Sequence, residues 1–156
     1  MKIVSRRTQA APALLEPPLP ALTRFGVSLE SDLLARFDRL VRERGLANRS
    51  EALRELIRRE FVKEQWDGQG EVAGAVTLVY DHHRRDLVSR LTDVQHDHAD
   101  VILSSQHVHL DHHHCLEIVA VRGPARAVRR LSDSLKAVKG VMHGTLSMSS
   151  TGRDMP

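Results

Sequence analysis

Arg24-Phe25-Gly26-Val27-Ser28-Leu29 alternates, with Phe25, Val27 and Leu29 on one side and Arg24, Gly26 and Ser28 on the other. This is the two-residue period of a strand with one apolar face. From about Ser31 the period changes: Leu33, Leu34, Phe37, Leu40 and Val41 recur at helical spacing, and Gly45 stands where a C-terminal cap belongs. Asn48-Arg49-Ser50-Glu51 then resembles a capping signal and opens a second helix with Leu53, Leu56, Ile57 and Phe61 inward. One strand and two helices make a small unit. A lone strand cannot satisfy its backbone groups, and so small a core is marginal alone. The simplest partner is the same strand of a second chain, so a dimer follows from the strand count.

Residues 1–22, before the strand, are rich in Pro and Ala without periodicity and read as a flexible N-terminal arm. Ser5-Arg6-Arg7 could open an export signal, but Glu16 and Pro12, Pro17, Pro18 and Pro20 break up any apolar segment after it. No uninterrupted apolar run approaches the ~20 residues that span a bilayer. The single Cys among 156 residues excludes an intrachain disulfide framework and suits a reducing compartment. A cytoplasmic location is expected. Hydrophobic and charged fractions of 41% and 28% are those of a globular chain.

The overall charge of +3 hides a division. Residues 1–63 hold 13 Lys and Arg against 8 Asp and Glu, a net +5, and residues 64–156 hold 10 against 12, a net −2. All ten His lie between His82 and His143. A basic half without His and an acidic half rich in it suggest two domains with different partners. The first spans 23–63; residues 64–71, with Gly68 and Gly70, read as a linker; the second spans 72–150, and 151–156 is a tail.

In the second domain the elements run βαββαβ. Val72–Tyr80 reads as a strand, Arg84–Val94 as a helix, Val101–Leu110 and Cys115–Val121 as a hairpin, Pro124–Val138 as a helix and Val141–Met148 as the last strand. The fold class expected is α+β, with helices layered on an antiparallel sheet.

The order strand, helix, turn, helix over Arg24–Ala52 resembles the ribbon-helix-helix family of small dimeric DNA-binding proteins. The resemblance implies paired ribbons in the major groove, with Arg24 and Ser28 reading bases. Gly26 departs from the pattern, since it offers no side chain to a base. Asn48, Arg49 and Ser50 at the second helix N-terminus are suited to grip phosphate. Arg36, Arg39, Arg42 and Arg44 read as a solvated helix face.

His107-Val108-His109 places two imidazoles on one face of a strand. If residue 109 pairs with 115, across an odd loop centred on His112, then Cys115 joins that face and Glu117 lies opposite His107, supporting the ligands. An even loop would turn Cys115 away. His96 and His98 are candidates for a fourth ligand. Such an N₃S set suits Zn(II) if tetrahedral and Ni(II) or Cu(II) if planar, so ligand chemistry leaves the metal open. His112, His113 and His114 read as a polar turn, His82 and His83 as solvated residues with weak metal contact at most, and His143 as structural.

From about residue 24 to 148 the chain resembles the nickel-responsive transcriptional regulators, a ribbon-helix-helix domain followed by an ACT-like sandwich. The motif is His96-x10-His107-x-His109-x5-Cys115-Leu-Glu, supported by Tyr80-x5-Asp86-Leu. The resemblance implies Ni(II), square planar, held by His107, His109 and Cys115 of one chain and His96 of another. It also implies a homotetramer, a dimer of dimers, on a double-stranded DNA operator. Arg84 and Arg85 match residues that touch the DNA backbone from a helix ordered on nickel binding, and Glu51 and Glu55 match a second cation site between domains. The long arm, Gly26, Asp97 and Ala99 depart from the family pattern.

The expected function is a nickel-dependent transcription factor, a repressor of nickel uptake genes, and not an enzyme. A regulator responding to another divalent metal is the near alternative. A metal store or chaperone would use several weak His sites and leave no DNA footprint. An enzyme would keep a water position open beside His107, His109 and Cys115, with Glu117 as base. An amino-acid-binding ACT regulator would respond to small metabolites instead of metals.

Overall fold

The computed structural model describes residues 22–153 and 155. The expected arm therefore lies outside the described residues except for Leu22. Leu22–Glu30 has no regular secondary structure, and Phe25, Val27 and Leu29 are 71%, 55% and 41% exposed. The expected ribbon is thus not a strand within this chain. Its backbone groups have no partner strand here, and a two-period alternation by itself cannot make one.

The first helix, α1, spans Ser31–Glu43 and buries no residue completely. It ends as the sequence predicts. Gly45 takes a φ of 63°, the Leu46 N–H donates to the Val41 carbonyl at 3.0 Å, and the Gly45 N–H donates to that of Arg42 at 3.0 Å. Those are the two bonds of a Schellman cap, and they require the left-handed conformation glycine adopts freely. The second helix, α2, spans Arg49–Asp67, with the Asn48 side chain accepting the Glu51 N–H at 2.9 Å.

α2 corrects two expectations. Half of the predicted linker, residues 64–67, is its last turn, and Leu56, Ile57 and Phe61 remain 40%, 45% and 37% exposed where the sequence predicts an inward stripe. Trp66 explains the extension. Its ring is buried in the core of the second domain, and its Nε1–H donates to the Ser149 carbonyl at 2.8 Å. Gly74 makes the space, since a Cβ there would lie 3.2 Å from the indole and 2.6 Å from the Ser147 carbonyl oxygen. The Arg129 guanidinium covers the indole at 5.5 Å and also bonds the Trp66 carbonyl.

The rest is the expected βαββαβ sandwich: β1 Glu71–Asp81, α3 Arg85–Asp97, β2 Ile102–His109, β3 His114–Pro124, α4 Ala125–Ala137 and β4 Val141–Ser149. The sheet is antiparallel in the order β2-β3-β1-β4. α3 and α4 cover one face, with Leu87 and Leu91 from α3 and Val128, Leu131 and Leu135 from α4 buried on Val72, Val76, Leu78, Val119 and Val121. Each such side chain contributes about 1.5–3 kcal/mol on leaving water. α3 runs three residues beyond the predicted Val94, which puts His96 on its final turn.

Candidate metal centre and nucleic-acid interface

His109 pairs with Cys115 and His107 with Glu117, the odd-loop register. Paired residues share a face, so these four side chains lie on the helix-covered side. β1 adds Tyr80 opposite Cys115. Glu117 is 1% exposed and fully engaged. The Tyr80 O–H donates to its Oε2 at 2.7 Å and Gln95 Nε2 donates to its Oε1 at 2.7 Å. His107 Nε2 lies 3.6 Å from the same Oε1, while His107 Nδ1 lies 3.2 Å from the Tyr80 hydroxyl and 3.8 Å from Cys115 Sγ. One connected set runs from Gln95 through Glu117, Tyr80 and His107 to the thiol.

Burial pushes the Cys115 thiol above its usual pKa, and the Glu117 charge adds to the effect. The same burial, followed by the bond to Glu117, drives the Tyr80 hydroxyl well above the phenol range. Both keep their protons near neutrality, so a thiolate at Cys115 needs a cation to stabilise it. Two imidazoles and a sulfur beside a buried carboxylate fit a borderline transition metal and not Mg(II) or Ca(II).

The proposed four ligands do not converge within one chain. Among the described residues, no trio drawn from His96, His107, His109 and Cys115 has its ligand atoms within 4.8 Å of one another. His96 lies on the rim of a groove it shares with Thr92, Gln95, Ser105, His107 and Glu117. The His109 ring packs edge-on against His82 at 4.9 Å. His98 terminates α3, and His143 lies opposite Val79 on the face of the sheet that the helices leave open.

The residues that hold Glu117 were not read from sequence. The sequence marks Tyr80 only as part of a motif, and nothing local marks Gln95, which acts across the sandwich. Asp111 was also missed. Its Oδ1 accepts the N–H groups of His113 and His114 at 2.7 and 2.8 Å, and its Oδ2 lies 2.8 Å from His114 Nδ1, which holds the Asp111 carboxyl far below its usual range. An Asp opening a tight turn is a signal for that arrangement.

Comparison with known proteins bears on both halves. Residues 23–64 match the ribbon-helix-helix protein, copG family, and residues 73–149 match the NikR C terminal nickel binding domain. A nickel-responsive regulator of Syntrophus aciditrophicus is 55% identical over 132 residues, covering 85% of this chain and 96% of the relative. One from Geobacter sp. strain M21 is 55% identical over 133 residues, with the same coverage of each. One from Chlorobium limicola is 54% identical over 131 residues, covering 84% of this chain and 98% of the relative. The chain belongs to the nickel-responsive regulators.

It is accordingly a nickel-dependent, DNA-binding regulator with Ni(2+) as its cofactor. Arg24 and Ser28, proposed to read bases, lie in the exposed segment before α1. At the start of α2 the regulator divides its labour. Asn48 caps the helix, and Arg49 forms a double hydrogen bond with Asp38 of α1, Nε to Oδ1 at 2.7 Å and Nη2 to Oδ2 at 2.8 Å. Arg49 is thus tied between helices where the sequence suggested a phosphate contact, while the backbone N–H groups of Arg49 and Ser50 are first-turn donors of the kind anions use. Glu51 pairs with Arg54 and Arg58, and Glu55 with Arg44 and Arg59, so the proposed second-cation carboxylates are neutralised by arginines within this chain. Arg84 and Arg85 stand exposed at the head of α3. No helix among the described residues is long and apolar enough to cross a membrane.

Proposed function

We propose that the regulator binds nickel through His107, His109 and Cys115 of one chain and His96 of another, and that the loaded protein represses nickel uptake genes. The observation that carries this reading is the hairpin register, which pairs His109 with Cys115 and His107 with Glu117. The alternative register, with an even loop, would have turned Cys115 away. Bound nickel supplies a positive centre able to hold the Cys115 sulfur as thiolate. Glu117, fixed by Tyr80 and Gln95, orients His107, and the proton leaving Cys115 is released to solvent on binding.

A ligand from a second chain makes occupancy and assembly one equilibrium. This supports a homotetramer in which ribbon-helix-helix pairs flank the nickel-binding domains. The apolar residues Phe25, Val27 and Leu29, exposed in a single chain, are the surface such a pair would bury. Arg24 and Ser28 then read bases, and Ser50, Arg84 and Arg85 contact phosphates. The protein acts in the cytoplasm, on DNA, and without catalysis of its own.

The test is gel-shift affinity for a DNA fragment selected from a random library by the nickel-loaded protein. Nickel should tighten binding by roughly 5–150-fold, the usual range of such coupling. Cys115→Ala should remove that dependence. Equal binding with and without Ni(II) overturns the reading.

A further inference from the structure

Gly26 is a glycine that the chain itself does not require. Its φ lies outside the left-handed region, and a Cβ built on it meets nothing within 4 Å. Neither turn chemistry nor packing within the chain accounts for it. In an extended segment glycine is a cost, because it has more freedom to lose on ordering and brings no side chain to pack. Arg24 and Ser28 flank it on the polar side of the alternation, and all three residues are exposed. A cost without a return inside the chain points to something outside it.

With Arg24 and Ser28 as base readers, the proposed reading on which this inference rests, that outside partner is the floor of the major groove. Phe25, Val27 and Leu29 take the other side of the alternation, so a paired ribbon turns Arg24, Gly26 and Ser28 toward the bases. At about 3.3 Å per residue, Arg24 and Ser28 stand about 13 Å apart along the strand, close to four base-pair steps. Gly26 is the midpoint. A groove about 12 Å wide is filled by a two-stranded ribbon, so a side chain at that midpoint would act as a spacer. Hydrogen bonds from Arg24 and Ser28 to base edges hold only over about 2.7–3.2 Å, and one methyl group under the centre lifts both ends away.

We propose that Gly26 is a specificity determinant of operator recognition, the point at which the ribbon backbone rests against the base edges. Arg24 and Ser28 then read bases on either side of a central step that no side chain touches. Such a step is selected by groove shape and stiffness instead of by hydrogen bonds. The role of Gly26 lies in the fit between ribbon and operator, so random-sequence DNA, held through its phosphates, is indifferent to it.

The test uses full-length, nickel-loaded protein carrying Gly26→Ala or Gly26→Thr, with the operator that the parent selects from a random library. Both variants should take up as much nickel as the parent and unfold at an equal or higher denaturant midpoint, since the chain alone has room for the Cβ. In gel shifts Gly26→Ala should bind that operator at least roughly tenfold more weakly, and Gly26→Thr more weakly still, with affinity for random-sequence DNA unchanged. Operator affinity equal to the parent's in both variants, or a parallel loss on operator and random DNA, would overturn the proposal. Arg24→Ala and Ser28→Ala, taken through the same selection, should each erase base preference at a different position. If both instead select the parent's motif, the ribbon does not read bases and the wider reading falls with the proposal. A failure confined to the Gly26 variants overturns the proposal alone.

Discussion

Glu117 is a carboxylate sealed under the helices beside two nickel-ligand candidates, and its two oxygens are held by groups from β1 and α3. Removing one donor from a buried carboxylate is costly, because the charge stays while its solvation goes. Tyr80→Phe should lower unfolding free energy by about 1.5–3 kcal/mol in urea titration, and Glu117→Gln in the same background should recover part of it. A Tyr80→Phe protein as stable as the parent would show that the hydroxyl does not support the carboxylate. His107, His109 and Cys115 were legible because the strand period is two and the loop length leaves only two registers. The roles of Tyr80 and Gln95 were not, since each reaches Glu117 from an element distant in sequence and no local pattern records such a meeting.

Among the elements, α2 departs furthest from its sequence reading. Gly68 and Gly70 suggested a linker, yet the helix continues to Asp67 so that Trp66 can enter the sandwich core. Helical stop signals are local, whereas burial of one indole is a tertiary gain that outweighs them. Trp66→Ala should destabilise the protein by about 3–5 kcal/mol, measured by chemical denaturation followed by circular dichroism. Gly74→Ala should also cost about 1–3 kcal/mol, because its methyl meets a backbone oxygen that cannot easily move. Between α1 and α2 the Arg49 guanidinium holds the Asp38 carboxyl below its usual range, chiefly by hydrogen bonding. A lowered carboxyl pKa stabilises the fold above the unfolded value of about 3.9 and loses that effect as pH falls through the folded value. Asp38→Asn should therefore narrow the stability difference between pH 7 and pH 3. An unchanged difference would remove Asp38 from acid sensitivity.

At the scale of the molecule, the two halves differ in how complete they are. The second domain encloses its core within one chain, and its order of elements was readable from period and turn residues. The first domain buries only Ala52 besides the Trp66 that it lends to its neighbour, and leaves its expected stripe exposed. The alternation at Phe25, Val27 and Leu29 was legible, but the strand is absent because pairing is a property of two chains. Val27→Asp should place a charge in that pairing and weaken operator binding by at least roughly tenfold in gel shifts. Nickel content, measured on the same protein, should stay unchanged. Loss of DNA binding together with loss of nickel would instead mean that the two domains do not fold independently.

Trp66 is the one indole in the chain, and it ends the helix of one domain inside the core of the other. Its emission is therefore a built-in optical gauge of the junction. A blue-shifted, quencher-resistant signal reports α2 docked on the sheet, and a red shift reports its release. No label need be attached to learn whether metal or DNA loosens that joint.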